Sequence, residues 1–392
     1  MYAILKRFLA DPRTRLVVRI VFSAAVAVVV WTRFAPSGWR GLLPSVSPFV
    51  ALLSLCAGAG GWFLAGALPL ALAAVFSPRF FCRWLCPAGL CQEVAGRIGS
   101  RLPGVRVGAW SKFRCGYWLL GIGIGAALLG YPLFLCLDPL VLFTNGWGVA
   151  LLVALALVRP GFWCGNVCPL GALQDLLRQS PRLRQTSASR RMFLQAAGGA
   201  VCGAVYRLAL PVRPADESAL RPPCVPDEAA FLRLCARCGA CVRACPAGIL
   251  RHAGTDNGVA RILAPEVRFG EGVCDPSCTV CGTVCPTGAI PRFTAEQKRL
   301  RPIGIARVDP EGCLAANGME CGVCVRSCPF EAMALQWEAS DMQSLVTVDA
   351  GRCVGCGVCV NACPADPRAV SIHPLPAGEA ATEGTGKNER NG

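Results

Sequence analysis

Histidine is nearly absent from this chain. Of its 392 residues only His252 and His373 are histidines, and both lie in the C-terminal half. Haem iron usually takes a histidine as axial ligand, so a haem held by two histidines in the N-terminal half is excluded. The haem-attachment sequence Cys-x-x-Cys-His does not occur either. The sequence therefore predicts a protein without haem.

Acidic residues are scarce in the N-terminal half. Residues 1–212 contain 4 Asp/Glu against 21 Lys/Arg, whereas residues 213–392 contain 20 against 18. The basic residues fall in loops between apolar runs, which is typical of membrane proteins rather than of nucleic-acid binding. We therefore expect no nucleic-acid partner. Asp138 is the only acidic residue among the apolar runs and sits at a turn, which argues against a subunit of an ion-pumping complex.

Long apolar runs are abundant, in keeping with a mean hydropathy of +0.47. They cover residues 16–31, 47–78, 116–136, 139–158 and 192–212. A spanning helix needs roughly 20 apolar residues, and glycines divide the second run, so we place its span at 57–78. The basic tail and the basic loops at 79–115 and 159–191 put the N-terminus in the cytoplasm. The first half is thus predicted to be an α-helical membrane domain with four to five transmembrane helices, embedded in the lipid of the cytoplasmic (inner) membrane.

The fifth run opens with Ser189-Arg190-Arg191-Met192-Phe193-Leu194-Gln195. This segment resembles a twin-arginine export signal, although two arginines before an apolar helix also fit a simple positive-inside flank. No small-x-small cleavage site follows. We expect the segment to remain as a fifth, outward-going span that leaves residues 213–392 on the periplasmic side.

Two segments of the first half repeat without gaps. Both read Cys-x-x-x-Cys-Pro-x-Gly-x-x-Gln-(Glu/Asp), beginning at Cys82 and at Cys164. Proline after the second cysteine suits the first turn of a helix. The four repeated cysteines match the four thiolates of a [4Fe–4S] cluster, while a redox-active thiol pair and a zinc site are the alternatives. They are Cys82, Cys86, Cys164 and Cys168, whereas Cys91 aligns with Leu173 and falls outside the repeat.

Four cysteine runs dominate the second half, and each ends in Cys-Pro. The first and last have the spacing Cys-x₂-Cys-x₂-Cys-x₃-Cys-Pro of bacterial ferredoxins, and the middle two carry an insertion after their first cysteine. In such runs three thiolates hold one cluster and the fourth binds the neighbouring cluster. The predicted ligand sets are Cys235, Cys238, Cys241 and Cys285; Cys274, Cys278, Cys281 and Cys245; Cys313, Cys321, Cys324 and Cys363; and Cys353, Cys356, Cys359 and Cys328.

Zinc and disulfides explain these runs poorly. Zinc sites pair two short Cys-x₂-Cys elements and give no reason for a fourth Cys-Pro at a fixed offset. We therefore predict four [4Fe–4S] clusters in two tandem bacterial 2[4Fe–4S] ferredoxin-like modules of the α+β class. Strands are expected at Ile303–Val308 and Leu345–Val348, with a short helix after each Cys-Pro.

The predicted organisation follows from these boundaries. It comprises a four-span domain at 1–190, a twin-arginine-like segment at 191–212, a linker at 213–230, ferredoxin modules at 231–300 and 301–375, and a disordered tail at 376–392.

Over residues 16–370 the chain resembles a fusion of two known subunits. The spans with the hairpins at Cys82 and Cys164 look like the membrane subunit of the quinol dehydrogenase that serves periplasmic nitrate reductases. The twin-arginine segment with its four cysteine runs is similar to the exported ferredoxin-type partner, and to the ferredoxin proteins of methylamine utilisation. The fusion itself and the stretched second and third runs depart from these families.

The resemblance implies a membrane-bound 4Fe–4S electron carrier. It would pass electrons from the quinol pool, menaquinol for example, to an unidentified periplasmic redox partner such as a reductase. Enzymatic activity would then be that of a quinol dehydrogenase component, and no catalytic residue can be named. The alternative is a non-catalytic maturation ferredoxin that supplies electrons for metalloenzyme assembly.

Overall fold

The computed structural model describes most of the chain. The described residues are 11–32, 39, 41–58, 66–77, 79–101, 114–130, 134–178, 187–209, 219–225, 227–254, 261–270, 272–338 and 343–374. They form two compact units. The first contains Met1–Arg213 together with Ala229–Ala240 and Val284–Ala289, and the second contains Pro214–Glu228, Cys241–Thr283 and Ile290–Gly392.

The first unit is helical. Its helices are α1 Pro12–Trp31, α2 Leu42–Ser45, α3 Pro48–Cys56, α4 Ala67–Phe76, α5 Phe80–Trp84, α6 Pro87–Gly99, α7 Cys115–Leu128, α8 Pro139–Thr144, α9 Gly146–Val158, α10 Pro169–Leu177 and α11 Ser187–Ala209. A short 3₁₀ turn, Leu135–Leu137, precedes α8, and a π-helical turn, Trp163–Val167, precedes α10.

Several of these helices begin at a proline that follows a capping side chain. The Asp11 carboxylate accepts the Arg13 N–H at 3.0 Å at the start of α1. Asp138 accepts the Leu140 N–H at 2.7 Å at the start of α8. Proline fits the first helical position because its missing N–H would have no partner there.

The apolar runs give shorter helices than the sequence predicts. The run at 116–136 is not one helix, because α7 ends at Leu128 and Gly130 adopts a left-handed conformation with φ +81°. The run at 139–158 divides into α8 and α9 where Asn145 is extended. Of the predicted span 57–78, the described part forms α4, which is 10 residues long.

Two helices are long and apolar enough to cross a membrane by length and composition, Arg13–Trp31 and Arg190–Ala209. Helices α4, α7 and α9 are apolar but have only 10–17 residues. Four to five spans are therefore not confirmed for the described part of the chain.

Helices α7 and α11 pack with their backbones in contact. A Cβ atom at Gly121 or Gly125 of α7 would collide with the carbonyl oxygens of Ala196 and Ala200 of α11. Gly199 of α11 likewise lies against the Trp118 carbonyl oxygen. Small residues four apart that allow such close approach are characteristic of helix pairs in membranes.

The ferredoxin part has short helices and two-stranded sheets. Its elements are α12 Glu228–Leu234, α13 Ala240–Ala244, β1 Leu250–His252, β2 Pro265–Val267, α14 Val280–Thr283, α15 Ala295–Leu300, β3 Ile305–Val308, α16 Val323–Ser327, β4 Met333–Glu338, β5 Gln343–Val348, α17 Val358–Ala362 and β6 Val370–His373. The antiparallel pairs are β1–β2, β3–β6 and β4–β5. Strands β3 and β5 confirm the two strands predicted from the sequence.

The helices next to the Cys-Pro pairs lie on the other side from the one predicted. Helices α13, α14, α16 and α17 each precede Cys-Pro and carry the third cysteine of their run, whereas residues Pro286–Ile290 are not helical. A residue before proline is pushed out of the helical region, so the helix must end there. Cys328 and Cys363 accordingly have extended ψ angles of 114° and 121°.

The core of the last module is built largely around cysteines. Cys324 and Cys359 are buried together with Met333, Val370 and Ile372. In the region predicted as a linker, α12 begins at Glu228. The predicted tail at 376–392 lies outside the described residues.

Candidate metal centres

The two membrane-half hairpins have the same local structure. Each second cysteine is the N-cap of a helix that starts with its proline, Cys86 for α6 and Cys168 for α10. Their sulfurs accept the N–H groups of Gly89 and Gly171, both at 3.3 Å. The prediction that these prolines open helices is confirmed. The geometry leaves each sulfur at a positive helix N-terminus, which favours the thiolate form.

The four repeated cysteines lie near one another. Cys86 and Cys168 are close enough to Cys82 and Cys164 for the charges of those thiolates to raise their pKa values. Burial is the larger cause and raises the pKa of all four thiols. The Gln174 amide donates to the Cys82 sulfur at 3.3 Å. Two hairpins distant in sequence thus bring four sulfurs into one buried site, the donor set that a [4Fe–4S] cluster requires.

An arginine supports each hairpin, a feature that the sequence motif did not show. Arg79 binds Asp175 through two hydrogen bonds of 2.9 and 2.7 Å and also donates to the Cys164 carbonyl at 3.1 Å. Arg19 pairs with Glu93 at 2.5 Å. Asp175 and Glu93 occupy equivalent positions of the repeat, so the acidic residue that ends each motif anchors its helix to an arginine from an earlier segment. Charge-assisted pairs with two hydrogen bonds fix orientation as well as distance.

The third predicted ligand set surrounds a recess. Cys313, Cys321, Cys324 and Cys363 line a cavity of about 330 Å³ together with apolar side chains that include Leu314, Val346 and Val370. The structure therefore brings these four cysteines together, with Cys363 coming from the following run. Their binding of one cluster stays a prediction.

The fourth set surrounds a similar recess. Cys328, Cys353, Cys356 and Cys359 line a cavity of about 310 Å³ with Met333, Val358 and Ile372. Burial and, to a smaller extent, the neighbouring thiolates of Cys356 and Cys353 together raise the pKa of Cys359 to about 12. A recess enclosed by four sulfurs and otherwise apolar walls fits a cluster that must be shielded from water.

In the second set, the cysteines lie close enough for the charge of one thiolate to change the pKa of another. The pKa of Cys274 is raised by burial and, to a smaller extent, by the charges of Cys278 and Cys245. Burial and then Cys274 raise the pKa of Cys281 to about 12. Cys245 belongs to the first run, so a cysteine of that run lies near the second run. Its role as the fourth ligand stays a prediction. The four cysteines of the first set are each buried, and their grouping as one site stays a prediction.

The first and last runs share a turn geometry. Arg237 and Gly239 in the first run have φ values of +56° and +65°, and Gly355 and Gly357 at the equivalent positions of the last run have +64° and +81°. Backbone N–H groups of the loops point at sulfurs, as Arg237 N–H does at Cys235 (3.4 Å). Left-handed residues turn the chain tightly, so that three sulfurs face one side.

Across the described residues, all 26 cysteines are free of disulfide bonds. No group of three or more His, Cys, Asp or Glu side chains in that part of the chain is placed to hold a single metal ion.

Comparison with known proteins agrees with this geometry. A family model described as a 4Fe-4S dicluster domain matches residues 234–289 and 317–366. A second, described as a 4Fe-4S binding domain, matches residues 59–106 and 142–187, which contain the two hairpins.

Three relatives illustrate the similarity. The ferredoxin-type protein NapG of Escherichia coli is 35% identical over 207 residues, which cover 47% of this chain and 86% of NapG. The methylamine utilization ferredoxin-type protein MauM of Paracoccus denitrificans is 34% identical over 174 residues, covering 43% of this chain and 75% of MauM. MauN of Methylorubrum extorquens is 30% identical over 206 residues, covering 48% and 69%.

The chain belongs to the NapG/MauM family of ferredoxin-type proteins. It is therefore an iron–sulfur protein of electron transfer, with 4Fe–4S modules in tandem. The resemblance seen in the sequence is confirmed. No solved structure matches the chain.

The inserted residues of the second and third runs are held by side chains that the cysteine spacing did not indicate. In the third run, the Asn317 amide donates to the carbonyl oxygens of Glu311 and Cys313 at 3.0 and 2.8 Å. In the second run, the Lys298 ammonium donates to the carbonyl oxygens of Asp275 and Cys278 at 2.5 and 2.9 Å. Each insertion is therefore a folded loop within this ferredoxin-type chain.

The remaining cysteines, for which the sequence predicts no role, are scattered. Cys202 is exposed on α11, and Cys91 lies on the helix after the first hairpin. Cys224 is buried, and its thiol donates to the Gln297 carbonyl at 3.6 Å.

Proposed function

We propose that this protein is a membrane-bound electron carrier that takes electrons from quinol and passes them through 4Fe–4S clusters to a periplasmic redox partner. Four clusters would be held by the sixteen cysteines of the ferredoxin runs and a fifth by Cys82, Cys86, Cys164 and Cys168. When bound, the clusters supply reversible one-electron storage. The protein supplies the thiolates, the apolar walls and the spacing between sites.

One observation carries this proposal, namely the position of the first ferredoxin loop on the helical unit. The Thr144 hydroxyl donates to the Cys238 carbonyl at 2.9 Å, and the Asn145 amide donates to the Arg237 carbonyl at 3.3 Å. Thr144 and Asn145 are buried. A predicted cluster ligand is thus fixed directly to the segment that joins α8 and α9.

This contact is at the opposite end of α7 from the hairpins. Gly116, at the start of α7, lies against the Cys168 carbonyl oxygen, where a Cβ would come within 3.0 Å. Gly130, just beyond the end of α7, lies beside Arg233. A helix of 14 residues is about 21 Å long. The arrangement supports hairpins on the cytoplasmic face and ferredoxin loops on the periplasmic face.

The surfaces of the long helices support a lipid environment. Val17, Val21 and Val28 of α1 are about half exposed or more, as are Phe193, Leu194 and Val201 of α11. Apolar side chains that face outward along two whole helices are stable in contact with the hydrocarbon of a bilayer. The glycine contacts between α7 and α11 support a retained fifth segment in the same way.

The experiment is reconstitution of the anaerobically purified full chain in liposomes with a menaquinol analogue. Reduction of the clusters by the quinol, followed by absorbance and EPR, is the expected result, with about 16 iron atoms per chain for four clusters and about 20 for five. Clusters that dithionite reduces but quinol does not would contradict quinol oxidation. A deletion strain in which the partner enzyme is never made would instead favour the maturation role.

A further inference from the structure

Lys298 is a buried cation beside a predicted cluster. It lies on α15, whose start is fixed by reciprocal hydrogen bonds between Thr294 and Gln297 of 3.0 and 3.2 Å. Only 5% of Lys298 is exposed. Lysine is almost never this deeply buried unless its charge is used.

The hydrogen bonds of the Lys298 ammonium go to one cysteine loop. Its ammonium donates to the carbonyl oxygens of Asp275 and Cys278, and its charge is close enough to the Cys274 thiol to lower that thiol's pKa against the larger rise caused by burial. The insertion makes this run one residue longer than the first run, because Cys274 and Cys278 are separated by three residues instead of two. The extra residue belongs to the loop whose carbonyl oxygens accept hydrogen bonds from Lys298.

The ammonium charge has no carboxylate in an ion pair with it in the part of the chain that the structure describes. The carboxylate of Asp275, in the same loop, is exposed and accepts hydrogen bonds from the N–H and hydroxyl of Ser277 at 2.7 Å each. Arg299, the next residue on α15, is exposed too. Water screens both of those charges, whereas the charge of Lys298 acts through the protein interior.

We propose that Lys298 raises the reduction potential of the cluster held by Cys274, Cys278, Cys281 and Cys245. This inference rests on the cluster assignment in the proposed function. Reduction adds one electron to the cluster and removes one from the donor, with no bond made or broken. A quinol gives up two electrons in two such steps and releases two protons. The added negative charge is stabilised by a fixed positive charge nearby, because cluster potentials depend on net charge, hydrogen bonds and exposure.

The functional consequence concerns which cluster holds the electron during transfer. A cluster with a higher reduction potential than the other clusters of the chain can stay reduced while a slower redox partner binds. The inserted loop and Lys298 would then act together on the reduction potential, because the loop carries the carbonyl groups that hold the ammonium in place.

The test is a redox titration of the full-length protein followed by EPR. Lys298→Met and Lys298→Gln remove the charge and should shift one one-electron wave to a more negative potential, while Lys298→Arg keeps the charge and should stay near wild type. The matched control is Arg301→Gln, which removes an exposed charge at the end of the same helix. It should cause a smaller shift that disappears at high salt. Cys281→Ser identifies which wave belongs to this cluster.

The outcomes separate this inference from the proposed function. If the neutral variants keep the wild-type potential, or if Lys298→Arg shifts as far as they do, the role of the charge is refuted. Should Lys298→Met fail to retain the cluster, Lys298→Gln, which keeps a hydrogen-bond donor, gives the same comparison. A shifted wave in protein that quinol cannot reduce would support the inference and contradict quinol oxidation.

Discussion

Cys91 and Cys164 both lie near the hairpins of the helical unit, but their surroundings differ. Cys164 is half-buried near the other repeated thiols and beside Arg79 and Arg19, whose charges lower its pKa against the rise caused by burial. For Cys91 burial is the main influence on the pKa, and no other thiol contributes. The repeat in the sequence made the same distinction, because Cys91 has no counterpart at Leu173.

This difference gives a matched pair of variants. We expect Cys164→Ser to lower the iron content by about four atoms per chain, because serine cannot replace a thiolate in the hairpin cluster. Cys91→Ser should leave it unchanged. Iron and sulfide analysis of anaerobically purified protein measures both. Equal iron in the two variants would refute the hairpin cluster.

Residues that support the sites are harder to find in a sequence than the ligands. The sixteen ferredoxin cysteines follow from spacing alone, since three thiolates on one short loop require fixed intervals. Arg79 and Lys298 carry no such interval, because each reaches its site from another part of the chain. Only the fold shows which polar side chain meets which loop.

At the scale of elements, the pairing of α7 and α11 depends on glycine. Gly125→Leu should separate the helices, because its side chain would occupy the space of the Ala200 backbone. Overpacking of this kind typically costs about 1–3 kcal/mol.

Thermal unfolding of the protein in detergent measures this effect. The control is Val201→Leu, which adds volume on the exposed side of α11 and should have little effect. If both variants unfold at the wild-type temperature, α11 does not depend on this contact. The control also shows whether added bulk alone disturbs the helix.

The position of the short helices relative to Cys-Pro was predicted wrongly for a reason that also belongs to this scale. Proline can open a helix or end one. After Cys86 and Cys168 it opens α6 and α10, whereas after Cys328 and Cys363 it ends α16 and α17. The same dipeptide thus has two outcomes in one chain.

At the scale of the whole molecule, the ferredoxin part depends on its cofactors. The buried residues of its last module include the cysteines themselves, and a recess among them is enclosed by sulfur ligands. Metal-binding free energy is then folding free energy.

Removal of the clusters by ferricyanide and EDTA should therefore unfold residues 241–374 while the helices of the first unit persist. Limited proteolysis with mass spectrometry of the fragments measures both parts in one sample. A ferredoxin part that stays resistant to protease without iron would contradict this expectation. Untreated protein in the same buffer is the control.

Export is the second prediction for the whole molecule. Replacing Arg190 and Arg191 by lysine should keep a periplasmic reporter fused after residue 374 in the cytoplasm, because the twin-arginine address is read as arginine. The control is the double variant Arg182→Lys with Arg184→Lys, which makes the same arginine-to-lysine replacements in the preceding loop. Normal export of the Arg190/Arg191 variant would mean that these residues act only as a positive flank.

The sequence by itself determined the iron–sulfur chemistry and the repeat of the hairpins, and it predicts sixteen ligands, because thiolate spacing is a local property of the chain. It also predicted β3 and β5. Tertiary structure decided where the helices break, at Gly130 and Asn145, and which side of each Cys-Pro is helical. It also decided that four hairpin thiols meet and that Lys298 lies under one cluster loop. These features depend on contacts between residues far apart in the chain, and no local pattern records them.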